Sequence, residues 1–349
     1  MQEIIAEAAA NHFWRVVNLT ERVFLGPLTP SLRTPSRAVF MWEHTTLYHY
    51  TPLREVSGPP ILIIPPLMVR PMIFDLRAGH SFIHFLMEQG NDVYLLDLGV
   101  PDKNYQEISL EDYILNLVGP AVEKVLEISG EPKLFLYGWS MGGIMCYLHA
   151  CLAEDQSHLA GLIACGSPVD FTKMFPFHIL AKIFNLPLVG FVNVVGNVPP
   201  IFFRIGFKAL SPLSWALRHG ELIANYHDRE WVAAYESIDA WVDDFIPYAK
   251  ETFKQFVGDL VIEDKLRTGK LEIGDRVADL RNIECPTLIV SGKTDKLAPA
   301  DSVEPAAELI GSKDFTMLQV NMGHIGMVAG RSAPDDVWAP IADWIADRK

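Results

Sequence analysis

One serine has the sequence context of a catalytic nucleophile. Ser140 is the centre of a Gly-Trp-Ser-Met-Gly pentapeptide, residues 138–142, which directly follows the apolar run 134–137. Glycines on both sides allow the sharp turn from a strand into a helix that leaves a serine hydroxyl exposed above a sheet. The pentapeptide also fits an ordinary turn, but the strand predicted before it and the helix predicted after it favour catalysis. We therefore predict that Ser140 is a nucleophile and that the chain is an enzyme.

A serine hydroxyl is a poor nucleophile at neutral pH, so it needs a histidine base that is itself oriented by an acid. With a nucleophile on this kind of turn, the order along the chain is serine, acid, histidine. His324 lies in Gly-His-Ile-Gly, residues 323–326, just after the apolar run 315–320. Among the eleven histidines it has both the order and the context of the base. His324 is the predicted base.

Two aspartates follow predicted strands and are candidates for the acid. Asp295 ends a Gly-x-x-Asp sequence just beyond the strand predicted to end at Val290, and Asp170 follows the strand predicted to end near Cys165. Asp170 also suits the cap of a helix that begins beside it. The position of Asp295 places a carboxylate at the C-terminal edge of the sheet, beside the loop that carries His324. Asp295 is the predicted acid.

The tetrahedral intermediate of acyl transfer needs hydrogen-bond donors for its oxyanion. One predicted donor is the backbone N–H of Met141, next to the nucleophile. The other is expected from the loop 65–69, whose two prolines carry no N–H, so that Leu67 or Met68 must donate; we favour Met68. Leu67, Trp139 and Ile325 are the predicted substrate-binding residues.

These loops need a sheet to bring them together. Continuous apolar runs separated by helical patterns are typical of parallel strands buried on both faces. The predicted strands cover residues 38–42, 45–50, 61–64, 92–96, 134–137, 159–165, 286–290 and 315–320. Helices are predicted at 3–24, 81–89 and 109–129, the second capped by Ser81 and the third by a box of Ser109 and Asp112. The predicted fold class is α/β, with the mostly parallel sheet and flanking helices of the α/β-hydrolase fold.

One long interval lacks the alternation of strands and helices. Residues 171–282 show helical patterning without a convincing strand, and we predict a helical cap inserted into a core of residues 38–170 and 283–349. Residues 1–37 are predicted to form an N-terminal helical segment and linker. The apolar half of the cap covers a site, forms a dimer face or packs against the core, and the sequence leaves these alternatives open. Its aromatic members are Phe171, Phe175, Phe177, Phe191, Phe202, Phe203 and Phe207.

Composition argues against several classes of protein. With 349 residues, half of them hydrophobic, the chain can bury a sizeable core. A formal net charge of −14 without any basic run argues against nucleic acid and anionic membranes as partners. Four cysteines without CxxC spacing indicate reduced thiols, and no secretory signal is evident, so a cytoplasmic location is expected. The apolar stretch 177–207 is interrupted by prolines and polar residues, so no membrane span is predicted. No metal or cofactor is expected.

Longer stretches of the chain resemble the polyhydroxyalkanoate synthases. They begin with Pro-Pro-Leu-Met-Val-Arg-Pro and Asn-Asp-Val-Tyr-Leu-Leu-Asp, and together they cover 65–76, 91–101, 166–171, 253–280 and 323–326, with Trp344 near the end. The resemblance extends over most of the chain from about residue 38 and is to the shorter synthase-type proteins. Such enzymes transfer hydroxyacyl groups from a coenzyme A thioester to a growing polyester. The resemblance therefore implies an ester or polyester substrate, homodimerisation and association with polyester granules.

The resemblance implies a nucleophile, acid and base at Ser140, Asp295 and His324, but the family uses a cysteine as its nucleophile. A cysteinyl thioester stays reactive towards a second hydroxyl, whereas serine enzymes of this fold usually pass the acyl group to water. We therefore expect a serine hydrolase, an esterase or depolymerase acting on hydroxyalkanoate esters, oligomers or polyester. The alternative is a synthase-type acyltransferase that uses hydroxyacyl-coenzyme A with serine as nucleophile. A non-enzymatic, granule-associated protein is disfavoured by the three intact residues.

Overall fold

An eight-stranded sheet lies at the centre of the protein. The structure is a computed structural model that describes residues 2–28, 33–209 and 220–349. The strands, in chain order, are β1 (Ser36–Trp42), β2 (Thr45–Tyr50), β3 (Ile61–Ile64), β4 (Val93–Asp97), β5 (Leu134–Trp139), β6 (Leu159–Cys165), β7 (Leu271–Ile273), β8 (Arg276–Ala278), β9 (Thr287–Gly292) and β10 (Phe315–Val320). The order in the central sheet is β1-β2-β4-β3-β5-β6-β9-β10.

The sheet is mostly parallel, which confirms the predicted fold class. β3 pairs in parallel with β4 and β5, and parallel pairing continues from β5 through β6 and β9 to β10. β1 and β2 form an antiparallel hairpin that joins the edge of the sheet at β4. Because parallel strands end at the same edge, the loops after β5, β9 and β10 lie close together there. These loops carry Ser140, Asp295 and His324.

All eight strands predicted from apolar runs and alternation are present in the central sheet, and their bounds agree within two residues. Every residue of β3, β5, β6 and β9 is buried, since the sheet is covered on both faces. One apolar cluster lies on one face, against the helix that follows Ser140, and a second lies on the other face, against the C-terminal helix. Burial on both faces is the physical reason that these strands have continuous apolar sequences.

The α-helices of the described residues flank the sheet, lie between β6 and β9 or, for the N-terminal helix, pack against that interval. Their bounds are Gln2–Leu25, Phe82–Glu88, Gly119–Ser129, Met141–Leu152, Phe177–Val195, Pro200–Ala209, Arg229–Asp243, Lys250–Gln255, Lys265–Thr268, Ala300–Val303, Ala306–Leu309, Gly326–Ala329 and Ala339–Ala346. Turns of π-helix cover Asp112–Val118, Phe256–Ile262 and Pro334–Trp338. Short 3₁₀ turns cover Pro71–Asp75, Lys103–Tyr105, Phe171–Lys173 and Leu280–Asn282.

Both predicted helix caps are confirmed. The Ser81 hydroxyl accepts a hydrogen bond from the N–H of His84 at 3.0 Å. Ser109 and Asp112 form the reciprocal box, because the Ser109 hydroxyl accepts from the N–H of Asp112 at 3.1 Å and the Asp112 carboxylate accepts from the N–H of Ser109 at 2.8 Å. The predicted helix at 109–129 begins with a turn of π-helix, Asp112–Val118, before α-helix continues to Ser129.

The interval 171–282 is mainly helical, but it also contains two strands, which the sequence analysis missed. β7 and β8 pair as an antiparallel hairpin around Gly274, which has a φ of 63°. Each strand has three residues, too few for an alternating pattern to stand out from the surrounding helices. The boundaries that we place at 170/171 and 282/283 between core and cap remain a prediction.

The N-terminal helix Gln2–Leu25 packs against the cap. Asn18 is 1% exposed, and its amide donates a hydrogen bond to the carbonyl of Tyr226 at 2.8 Å. Arg22 forms an ion pair with Glu236 at 2.6 Å. The helix therefore belongs to the cap side of the molecule, while much of its opposite surface is apolar and exposed, including Phe24 at 79%.

The helix Phe177–Val195 contains Pro187, and a bend of 76° separates Phe177–Asn185 from Pro187–Val195. A proline removes one helical hydrogen bond and clashes with the preceding turn, which accounts for the bend. Within the described ranges no single helix has the length and hydropathy of a membrane span, although these two bent segments meet that criterion together. The described ranges also contain no cluster of three or more side chains suited to a metal ion.

Candidate active site

Ser140 lies on a sharp turn between β5 and the helix Met141–Leu152. Its backbone has φ 56° and ψ −124°, in a region that non-glycine residues rarely adopt. A Cβ atom at Gly138 would lie 2.4 Å from backbone atoms of Gly142, and one at Gly142 would lie 2.1 Å from the carbonyl oxygen of Ile64. The glycines of the pentapeptide are therefore required by close backbone contacts. The strained serine is held at the C-terminal edge of the sheet. Backbone strain of this kind is often found at functional sites.

Asp295 and His324 form a buried pair in neighbouring loops. An Asp295 carboxylate oxygen, Oδ2, lies 2.7 Å from Nδ1 of His324, and the two residues are 6% and 8% exposed. The other oxygen, Oδ1, accepts hydrogen bonds from the N–H groups of Leu297 and Ala298 at 2.8 and 2.9 Å. A carboxylate that accepts from Nδ1–H fixes the tautomer in which Nε2 takes a proton. The pair has the geometry of a general base and its orienting acid.

The ring of His324 is further confined by two residues near Ser140. The indole of Trp139 lies against the imidazole, with 4.9 Å between ring centroids and an angle of 33° between planes. Gly166 has a φ of 56°, and a Cβ there would lie 3.3 Å from the imidazole. Sequence reasoning did not find these contacts with His324, because both residues are distant from it along the chain. Trp139 therefore connects the Asp295–His324 pair to the turn that carries Ser140.

Asp170 has a different set of partners. Its Oδ1 accepts from the N–H of Thr172 at 3.0 Å, and it caps the 3₁₀ turn Phe171–Lys173. Its second oxygen lies 3.6 Å from Nε of Arg267. Asp170 therefore performs the capping role that we gave as its alternative, and the structure pairs His324 with Asp295.

The two predicted oxyanion donors lie in different elements, the loop after β3 and the helix that follows Ser140. Met141 is the first residue of the helix that follows Ser140, where backbone N–H groups lack helical partners. Met68 has a φ of 64°, an uncommon value outside glycine, and its carbonyl accepts from the N–H of Ile246 at 3.0 Å. Both residues line the same cavity as Ser140. Their role as oxyanion donors remains a prediction.

A cavity of about 390 Å³ extends from Ser140 beneath the cap. Its lining is almost entirely apolar and includes the predicted contact Leu67 together with Met68 and Met141. Of the cap aromatics named from sequence, Phe171, Phe177 and Phe203 line this cavity, which favours the alternative in which the cap covers a site.

The remaining predicted contacts and cap aromatics lie elsewhere. Trp139 and Ile325 are not among the lining residues of the cavity, and their contact with substrate stays a prediction. Phe191 and Phe202 line an adjoining cavity, and Phe175 is 70% exposed. The side chain of Phe207 lies outside the described part of the structure.

Comparison with known proteins identifies the family. A model of the alpha/beta hydrolase family matches residues 61–339. The poly(3-hydroxyalkanoate) polymerase subunit PhaC of Haloferax mediterranei is 31% identical over 318 residues, which are 90% of this chain and 64% of that protein. The corresponding subunit of Synechocystis sp. is 30% identical over 90% of this chain and 85% of its own length. The chain belongs to the polyhydroxyalkanoate synthase-like alpha/beta hydrolases.

Solved structures agree with this fold. A thermophilic esterase from Thermogutta terrifontis matches with a TM-score of 0.55 and 18% identity over 91% of this chain and 99% of that one. A monoglyceride lipase from Saccharomyces cerevisiae matches with a TM-score of 0.59 and 13% identity over 92% and 97%. At these identities the likeness establishes the fold alone. The family assignment indicates an enzyme.

Proposed function

We propose that this alpha/beta hydrolase transfers acyl groups through an ester on the Ser140 hydroxyl. The observation that carries the proposal is the strained Ser140 in the lining of an apolar cavity, with a buried Asp295–His324 pair in the neighbouring loops. Each part has a separate chemical task in acyl transfer. The cavity takes the acyl chain, the serine oxygen attacks the carbonyl, and the histidine moves protons.

In the first half-reaction His324 removes the proton from Ser140 as its oxygen attacks the acyl carbon. Asp295 keeps Nδ1 protonated and stabilises the imidazolium that forms. The N–H groups of Met141 and Met68 donate to the oxyanion. The intermediate collapses with loss of the leaving group, which takes the proton from His324. In the second half-reaction an acceptor hydroxyl loses its proton to His324 and attacks the seryl ester, and His324 returns the proton to the Ser140 oxygen as it leaves.

For the acceptor, we propose the hydroxyl of a growing hydroxyacyl chain, with hydroxyacyl-coenzyme A as donor. The support is the family: relatives at about 30% identity over 90% of the chain are named poly(3-hydroxyalkanoate) polymerase subunits. In this reaction the C–S bond of the thioester breaks, coenzyme A leaves as the thiol, and a new C–O ester bond forms on the acceptor chain. The chain is then a synthase-type acyltransferase with a serine nucleophile.

A second candidate is hydrolysis, in which water replaces the acceptor hydroxyl. The observation that favours it is Ser140 itself, since the family resemblance implies cysteine at this position. A seryl oxyester is less activated towards a second alcohol than a cysteinyl thioester. The substrate is then a hydroxyalkanoate ester, an oligomer or a polyester, and the chain is an esterase or a depolymerase.

The fate of the acyl group distinguishes the two candidates. The purified protein is incubated with 3-hydroxybutyryl-coenzyme A, and free thiol, free 3-hydroxybutyrate and oligomer are measured, with Ser140→Ala as the control. Oligomer that depends on Ser140 supports the acyltransferase, and free acid supports the hydrolase. Thiol release at equal rates in wild type and Ser140→Ala would reject Ser140 as the nucleophile for both.

The expected associations of the protein also stay proposals. Exposed apolar side chains on the cap, among them Phe175, Ile183 and Ile205, support a homodimer through the cap or attachment to polyester granules. Sedimentation velocity across a hundredfold range of protein concentration tests the dimer.

The four cysteines are free and buried, which supports the reducing cytoplasm as the proposed location.

A further inference from the structure

Two apolar cavities adjoin beneath the cap. The first, about 390 Å³, is lined by Ser140, and the second, about 510 Å³, lies beyond it. Residues lining both include Met68, Leu188 and Phe203. No charged side chain lines either cavity among the described residues, and besides Ser140 the polar lining consists of Tyr248. A charged group placed inside would lose its hydration without a compensating partner.

The first cavity alone exceeds the needs of a four-carbon acyl group. A water-sized group occupies about 30 Å³ of liquid volume, so the first cavity has room for on the order of ten such groups. The second cavity more than doubles this space. Phe202, which lines the second cavity and not the first, is 49% exposed among the described residues, so the second cavity lies near the surface of the described structure.

We propose that the two cavities together form a binding site for an aliphatic acyl chain of about eight carbons or more. The acyl carbon lies at Ser140, the alkyl chain fills the first cavity, and its methyl end passes Leu188 into the second. The charged part of a thioester donor stays outside, because neither lining offers it a partner. This inference rests on the proposed function, since it takes Ser140 as the atom that receives the acyl group.

Affinity for acyl-coenzyme A of increasing chain length tests the proposal without requiring turnover. The Ser140→Ala protein is titrated with butyryl-, hexanoyl-, octanoyl- and decanoyl-coenzyme A, and Kd is measured by calorimetry. Full burial of one methylene group tightens binding by up to about fourfold. We expect decanoyl-coenzyme A to bind at least about tenfold more tightly than butyryl-coenzyme A. Equal Kd values across the series would overturn the proposal.

A substitution at the junction of the cavities locates the chain. Leu188→Trp, made in the Ser140→Ala protein, places an indole between the two cavities. We expect it to abolish most of the gain in affinity between hexanoyl- and decanoyl-coenzyme A. The matched control is Val194→Trp on the same helix, which is 87% exposed and lines neither cavity. Val194→Trp should leave the dependence of Kd on chain length as it is in the Ser140→Ala protein. Thermal unfolding of both variants verifies that they are folded.

The outcomes separate this inference from the proposed function. The acyl-chain site is rejected if Kd does not depend on chain length, or if that dependence survives Leu188→Trp unchanged. The acyl-enzyme still stands in that case if wild type releases thiol in a Ser140-dependent reaction. If the dependence is present and sensitive to Leu188→Trp but wild type shows no serine-dependent reaction with any member of the series, the chain site stands and the proposed function fails.

Discussion

The carboxylate of Asp295 accepts three hydrogen bonds, from the His324 ring and from the N–H groups of Leu297 and Ala298. In Asp295→Asn the single amide oxygen satisfies either the two backbone donors or the imidazole. If it faces the backbone, the amide N–H₂ meets Nδ1 of His324 and favours the wrong tautomer. We expect kcat/KM for acyl release to fall by about 10² to 10⁴.

The matched control for this prediction is Asp170→Asn, at the other aspartate that sequence reasoning considered. Asp170 caps a 3₁₀ turn beside Thr172, and we expect its substitution to change kcat/KM by less than about threefold. Steady-state kinetics on both variants, with thermal unfolding to confirm folding, are sufficient. A severe loss in Asp170→Asn with little effect in Asp295→Asn would exchange the two roles.

Trp139 acts on the reaction through His324 in our interpretation of the site. Its indole is 2% exposed and lies 4.9 Å from the imidazole, centroid to centroid. In Trp139→Ala the imidazole loses this wall, and we expect kcat to fall by about tenfold to hundredfold with little change in KM. Trp139→Phe keeps an aromatic wall and should retain most of kcat. A rise in KM with kcat preserved would instead indicate direct contact with substrate, as the sequence analysis predicted.

Tyr248 is the polar residue that borders the cavity besides Ser140. It is 5% exposed, its hydroxyl has no hydrogen-bond partner among the described residues, and burial raises the pKa of its phenol, which therefore stays a neutral donor. We expect this hydroxyl to bind the hydroxyl of a 3-hydroxyacyl group. Tyr248→Phe should reduce the preference of kcat/KM for 3-hydroxyacyl over unsubstituted acyl donors by about tenfold.

Stability is the second measurement for Tyr248→Phe. Since the wild-type hydroxyl is buried with no hydrogen-bond partner in the described ranges, its removal should not lower the free energy of unfolding in urea. The control is Tyr113→Phe, at a buried tyrosine that does not line the cavity beside Ser140; its preference between donors should equal that of wild type. An unchanged preference in Tyr248→Phe would assign substrate selection to other residues.

At the scale of the elements, predictability follows the length and burial of each segment. β6 lies between two sheet neighbours and two covered faces, so its seven residues are all buried and apolar, and its bounds were predicted correctly. The β7–β8 hairpin has three residues per strand, and nothing local distinguishes Leu-Glu-Ile from a turn of amphipathic helix. The π-helical turn at Asp112–Val118 has the same apolar spacing as the α-helix that continues it.

The candidate site shows the same limit. Chain order and flanking glycines predict Ser140 and His324 as nucleophile and base, and position after β9 favours Asp295 over Asp170 as the acid. The contact of Trp139 with His324, and the need for glycine at 166, depend on how β5, β6 and β10 place their ends side by side. Such contacts have no local sequence pattern, so they required the structure.

The box of Ser109 and Asp112 gives a prediction at the level of one element. In Ser109→Ala the N–H of Asp112 loses its acceptor, and the Asp112 carboxylate loses the hydroxyl that donates to it at 2.6 Å. We expect a loss of about 1 kcal/mol in the free energy of unfolding, measured in urea. Ser129→Ala is the control at the other end of the same helical segment, where the hydroxyl has only long contacts, 3.5 Å to the Leu126 carbonyl and 3.3 Å from the N–H of Glu131. Equal losses in the two variants would show that the box adds nothing specific.

At the scale of the whole molecule, a half-buried histidine links folding to pH. His149 lies in the last turn of the helix Met141–Leu152, where the helix dipole favours a cation. Burial nevertheless lowers the pKa of His149 to about 4, helped by the neighbouring ring of His158 at 5.9 Å between centroids. The folded protein therefore holds His149 neutral at pH values where an unfolded chain has it charged.

The sign of the pH dependence follows from proton binding. An unfolded histidine titrates near 6.5 and the folded one near 4, so between these values the unfolded chain binds the extra proton. The free energy of unfolding must then fall as pH falls through that window, and the contribution of His149 is complete above pH 6.5. Its full size is about 3 kcal/mol at most, and we expect about 1 to 3 kcal/mol, because His149 keeps some exposure to solvent in the folded protein.

His149→Gln removes the titrating ring and should flatten this part of the stability profile. Urea denaturation of wild type and variant at pH 7.0, 5.5 and 4.5 measures the difference. Burial also lowers the pKa values of His44 and His80, but these two residues act equally in both proteins. His12→Gln, at an exposed histidine of the N-terminal helix, should follow wild type. Parallel profiles for wild type and His149→Gln would mean that the folded protein accommodates the charged ring, and acid sensitivity would then have to arise from other groups.

Because the helix Met141–Leu152 begins at the turn that carries Ser140, protonation of His149 within the folded protein would also strain the element that holds Ser140. Activity and stability should therefore decline together below pH 5 in wild type and separate in His149→Gln.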